Sequence, residues 1–241
     1  MSLINTGDIR GLDGAYSRVE RASEHLADLE SQIRIATDNE KSRLASQFNP
    51  YSSNLRQRTF STIKYIPPKM WGILIGEIAY NLRSALDYLV YELYALDNGR
   101  TRSGTYFPIK KLEECPNLGK CPCIKGLSVE HLAIIKELQS HYGVAWLEHL
   151  NTVCNHDKHR LLTPTVNVTY SFVESGHVGQ FEGLPGYVHS TKSLTGKSEM
   201  HVYADFSLYV TFSDGPGVIE TLHKYILQAR DTLDAFNSEF K

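Results

Sequence analysis

The stretch KMWGILIGEIAYNLRSALDYLVYELYAL, Lys69 to Leu96, decides the fold. Trp71, Ile75, Ile78, Leu82, Ala85, Leu86, Leu89, Leu93 and Leu96 recur every three or four residues, which puts them on one continuous helical face. Ala79, Val90 and Tyr94 widen that face to one side, where Arg83 and Asp87 also lie. A helix apolar over so wide an arc has to be surrounded, so it belongs at the centre of a bundle. Its charged residues Glu77, Arg83, Asp87 and Glu92 mark it as a buried helix rather than a bilayer span. Pro67-Pro68 precedes it, and Asp97-Asn98-Gly99 supplies the stop.

Upstream, Asp13 to Phe48 reads as a long, rather polar helix with a thin apolar stripe of Leu26, Leu29, Ile33 and Leu44. Such a helix packs along an edge or against another subunit, so a homodimer through the long helices is expected. Asn49-Pro50 ends it, and Arg56 to Ile66 is rich in β-favouring residues. Downstream, a long connection from Arg100 to Gly126 holds Pro108, Pro116, Gly119 and Pro122. Ser128 is a good N-cap for a helix running to about Gln139. After a break at His141-Tyr142-Gly143, Trp146, Leu147, Leu150, Val153, Cys154 and Leu161 predict a further helix over about 144–161.

Beyond Pro164 the apolar period changes from helical to alternating. Val166, Val168, Tyr170 and Phe172 alternate with polar residues, and so do Val202, Ala204, Phe206, Leu208, Val210 and Phe212. Both runs read as half-buried strands of an antiparallel sheet. Glycines 176 to 196 mark a loop with one more short strand, and Asp214-Gly215-Pro216-Gly217 is a turn. A last helix, about Val218 to Phe240, presents Leu222, Tyr225, Ile226, Ala229, Leu233 and Phe236. The expected class is therefore α+β: a helical bundle with a small antiparallel β-sheet and a C-terminal helix. It forms a single domain over 1–241, with a helical core at about 13–161 and a β-rich part with its closing helix at about 162–241.

A net charge of -2 and a pI near 6.5 give no global pull toward nucleic acid or anionic membrane, though a local basic patch is compatible with them. No stretch reaches the roughly 18 apolar residues of a membrane span, and the start shows no secretory pattern. The cytoplasm is the expected location, with no membrane partner. Cys115, Cys121 and Cys123 do not follow a standard zinc spacing. They read as thiols, with structural zinc as the alternative.

Three constellations carry chemistry. In Asn155-His156-Asp157-Lys158-His159-Arg160, about 100° per residue puts Asp157 inside the apolar face, where a carboxylate needs a partner. His156 or His159 suits acid/base work near neutral pH, and Lys158 and Arg160 suit a phosphate or carboxylate. Equally, Asp157 can anchor the helix end while the cations complement the helix dipole. Arg83 and Asp87, at i and i+4, stand in the less favourable order for an isolated pair. Each is therefore expected to answer another helix, Arg83 with Asp157 and Asp87 with His159 or Arg160. Last, His149, His156 and His159 with Asp157 or Glu148 would need a further carboxylate to hold a metal. No metal and no cofactor is expected. Neither a P-loop nor a dinucleotide or hydrolase glycine motif occurs.

The block Gly76 to Asp87, then Phe107-Pro108-Ile109, then Asn155 to Arg160 resembles a group of uncharacterised bacterial proteins. Their shared pattern is a G-[DE]-x-x-x-N-L-R-S-A-L-D helix, an F-P-I segment and N-x-D-K-H-R, and the resemblance spans residues 70 to 162. The chain is more loosely similar to HEPN-type helical proteins, many of which are dimeric, metal-independent ribonucleases of defence and toxin systems. Their R-x4–6-H motif lies on one helix, whereas Arg83 with His159 would reproduce it across two. The similarity implies a phosphodiester-directed role with RNA as partner. His159 would then be the acid/base, Arg83 and Arg160 the phosphate ligands with Lys158, Asn155 and His156 beside them, and Asp157 and Asp87 the orienting carboxylates. The alternative is a non-catalytic module for a small anionic ligand or a protein partner, with the Arg/Asp/His network structural.

Overall fold

In the computed structural model of the chain, the described residues are 11–47, 65–109, 122–159, 165–174, 177–181, 189–191, 200–212 and 215–240. Side chains are described at these positions except 44–47 and 157–207. The strand expected over 56–66, the stop at Asn49-Pro50 and the glycine loop therefore lie largely outside the described residues. The helices are α1 (Asp13–Gln47), α2 (Lys69–Asn98), α3 (Val129–Tyr142), α4 (Ala145–His159) and α5 (Val218–Asp234), followed by a 3-10 helix, Asn237–Phe240. The chain forms two compact units. The first takes residues 1–27, 72–162 and 220–241, and the second takes 28–71 and 163–219.

The first unit is the helical bundle, and α2 is its axis. Ile75, Ile78, Ala79, Leu82, Ala85, Leu86, Leu89, Val90 and Leu93 are all essentially inaccessible to solvent. Helix α1 contributes Ala15, Val19, Ala22 and Leu26, a stripe at helical spacing whose small residues permit close approach of the backbone. Helix α4 buries Trp146, Leu147, Leu150, Val153 and Cys154, and α5 buries Leu222, Tyr225, Ile226, Ala229 and Leu233. Burying a leucine or valine stabilises by about 1.5–3 kcal/mol, so these four faces supply most of the drive to fold this unit. Polar bonds then set the register of its parts. Tyr16 on α1 donates to Asp234 on α5 (2.6 Å), and Tyr142 on α3 donates to Asp231 on α5 (2.8 Å).

The C-terminal end of α2 behaves as its residues demand. Gly99 follows α2 with φ +64°, and its N–H donates to Ala95 O at 2.9 Å. Gly126 has φ +100°, and a Cβ there would lie 2.7 Å from the Tyr94 ring, so the chain passes close to α2 only as glycine. Asn98 donates to the carbonyls of both Tyr94 (2.9 Å) and Gly126 (2.8 Å), tying the end of α2 to the start of α3.

In the second unit the backbone of residues 165–211 carries β1 (Thr165–Glu174), β2 (His177–Phe181), β3 (His189–Thr191) and β4 (Met200–Thr211). Their order is β2-β1-β4-β3. All pairings are antiparallel, with Val166 opposite Val210 and Val168 opposite Leu208. At the end of β4, Leu208, Val210 and Phe212 are buried while Tyr209 is exposed. The turn after it is closed by Phe212 N–H donating to Pro216 O at 2.9 Å, with Gly215 at φ +110°. In the same unit, Tyr65 stacks on Trp71 (centroids 5.9 Å apart).

Candidate functional site

Arg83 and Asp87 project from α2 and meet each other, Arg83 Nη2 lying 2.9 Å from Asp87 Oδ1. The pair does more than neutralise itself. Arg83 Nη2 donates to the carbonyl of Phe107 at 2.9 Å, and the N–H of Phe107 donates to Asp87 Oδ1 at 2.9 Å. Both polar groups of one backbone residue are thus held by one i, i+4 pair. Gln139 from α3 takes the next carbonyl, Pro108 O, at 3.1 Å. Proline has no N–H to place, so the backbone polar groups of Phe107-Pro108 are all paired by Arg83, Asp87 and Gln139. The Phe107 ring is buried, and it would not be reachable without such pairing, because an unpaired buried peptide group costs about 1–3 kcal/mol.

Arg83 and Asp87 thus answer each other and a loop peptide, while the side chains expected to meet them from the next helix, Asp157, His159 and Arg160, lie outside the described residues. The guanidinium keeps two features beyond that clasp. Its Nη1 is buried with no hydrogen-bond partner among the described residues, and its carbon lies 6.0 Å from the centroid of the half-exposed Tyr106 ring.

Helix α4 carries the other candidate residues. Its backbone is helical through His159, and Asn155 and His156 are exposed. The side chains of Asp157, Lys158 and His159, and the whole of Arg160 and Leu161, lie outside the described residues. Of the candidate metal ligands, His149 has Nδ1 2.8 Å from the Tyr225 hydroxyl, while Glu148 is exposed. Among the described residues no three His, Cys, Asp or Glu side chains are grouped to hold a metal. Cys123 and Cys154 are buried thiols, and Cys115 and Cys121 lie outside the described residues.

A second polar cluster escaped the sequence reading. Asp97, near the end of α2, accepts from the N–H of Ser128 at 2.7 Å and sits 2.9 Å from His131 Nδ1 through the same oxygen. Ser128 caps α3 by accepting from His131 N–H at 3.2 Å. The His131 ring is buried, with Phe236 edge-on to it (centroids 6.0 Å apart) and Glu239 Oε2 3.7 Å from Nε2. The available signal was a histidine three residues after an N-cap serine, but its partners lie 34 and 108 positions away in sequence.

Two tyrosines have hydroxyls held in the neutral form. Burial and the Asp234 carboxylate push Tyr16 well above the ordinary phenol range, and the bond to Asp231, with burial, raises Tyr142. Among the described residues, no helix is long and apolar enough to cross a membrane. No protein-family profile, no curated protein and no solved structure matches this chain.

Proposed function

We propose that this chain is a HEPN-like, phosphodiester-directed protein that contacts RNA through the polar end of α4, with metal-independent cleavage at His159. The observation that carries this reading is the change of character along α4. Its buried face runs from Trp146 to Cys154, and the next two residues, Asn155 and His156, are exposed. The segment that follows supplies Lys158, His159 and Arg160, cations at the end of a helix where the dipole favours them by about 0.3–1 kcal/mol each. In this reading His159 transfers the proton, Arg160 and Lys158 hold phosphate with Asn155 and His156, and Asp157 orients the imidazole. Because Arg83 and Asp87 hold the Phe107 peptide, in this reading they act as positioning residues rather than as phosphate ligands.

The test is cleavage of end-labelled single-stranded RNA in the presence of a chelator. His159→Ala is expected to lower the rate by about 10²-fold or more with an unchanged circular dichroism spectrum. A rate that survives this substitution would overturn the assignment.

A second reading, a non-catalytic module for a small anionic ligand or a protein partner, is favoured by the Arg83–Asp87 clasp itself, since that arginine is already committed to structure. It predicts thermal stabilisation by nucleotides that Arg160→Ala removes, with no RNA cleavage. The α+β class, in which the antiparallel sheet is a stable part of the fold, belongs to the same proposal and is supported by the alternation of residues 202–212. So does a homodimer through the long helices, supported by Met70, Ile73, Tyr80 and Tyr88, which α2 exposes.

A further inference from the structure

We infer that His131 is a proton-operated latch that holds the 3-10 helix Asn237–Phe240 against the bundle. The two ring nitrogens have different duties. Nδ1 faces Asp97 Oδ2 at 2.9 Å, and an ionised carboxylate only accepts, so Nδ1 carries its hydrogen whether the ring is charged or neutral. The nitrogen that gains or loses a proton is therefore Nε2, and Nε2 faces Glu239 Oε2 at 3.7 Å. That distance is too long for a hydrogen bond, so the contact acts through charge alone. With the imidazolium present, it draws the 3-10 helix toward α3. With the neutral ring, a nitrogen lone pair faces a carboxylate and the attraction is gone.

The surroundings make this change local. Asp97 comes from α2, Glu239 from the 3-10 helix and the neutral Ser128 hydroxyl from the cap of α3; Phe236, which leads into the 3-10 helix, covers the ring edge-on. Asp97 is fixed by a second bond, to Ser128 N–H, whereas the Glu239 side chain is 42 % exposed. The mobile partner is thus Glu239, and the part that responds is the turn whose bonds are Phe236 N–H to Leu233 O and Glu239 N–H to Phe236 O, each 3.0 Å. The proton comes from solvent and returns to it; no other co-reactant is needed.

Hydrogen exchange of the Phe236 and Glu239 amides in the full chain, corrected for intrinsic rates, tests this across about pH 5 to 8, where imidazoles change charge. Protection is expected to be about two- to fivefold greater at the acid end, as suits a partly exposed pair, and Glu239→Gln should flatten that slope. A wild-type protection independent of pH, or a slope that survives in Glu239→Gln, overturns the latch.

Discussion

Arg83 and Asp87 show how one pair of residues converts a loop into part of a core. Asp87 Oδ1 receives both the guanidinium and the Phe107 N–H, so Asp87→Ala removes the carboxylate from a half-buried cation and leaves a buried amide without its acceptor at once. Loss of about 2–4 kcal/mol is expected, measured as a fall in the urea midpoint, and Asp87→Asn should recover part of it because its amide oxygen still accepts from Phe107. An equal loss for the two substitutions would mean that charge, not the peptide bond, is what the carboxylate supplies. The importance of these two positions was legible in the sequence, since charged residues beside a wide apolar face demand partners. Their partner was not legible. Every residue except proline carries a backbone N–H and C=O, so spacing and composition do not single out Phe107 as the partner, and the resemblance marked Phe107-Pro108-Ile109 without saying what it meets.

Helix faces were the most readable elements, because burial imposes its period directly: the apolar residues read from Trp71 to Leu93 and from Trp146 to Cys154 are buried in α2 and α4, joined by the unread Leu74 and Ala95, while Leu96 is only half-buried. Connections were less readable, since they depend on meetings between distant residues. Ser128 was visible as a cap, but the carboxylate of Asp97 that doubles it, accepting the Ser128 N–H, lies 31 positions earlier. Ser128→Ala is therefore expected to cost about 1 kcal/mol, with Asp97 still holding the helix start; thermal unfolding would show it. Gly126→Ala should cost more, about 1–3 kcal/mol, because it combines a positive φ with a contact of 2.7 Å to the Tyr94 ring. A mild effect at Gly126 would show that Tyr94 swings aside.

At the scale of the molecule, α5 is joined to the rest of the bundle by tyrosine–carboxylate bonds that fail in alkali. The Tyr16 phenol titrates higher in the folded chain than in the unfolded one. Its contribution is therefore complete below the ordinary tyrosine value of about 10 and disappears as pH rises through the folded value. Melting temperature should drop steeply above about pH 10, and Tyr16→Phe should start lower at neutral pH but lose less over that interval; parallel curves would contradict this. Neither tyrosine's partner was foreseeable, since Tyr16 and Asp234 are 218 positions apart. That separation reflects how the bundle is assembled from residues 1–27, 72–162 and 220–241, with the second unit's segments between them. During synthesis on the ribosome, then, α2 and α4 emerge and must wait while the intervening residues are translated, their apolar faces uncovered until α5 arrives. A nascent chain stalled before residue 220 is the species on which chaperones would be expected to act.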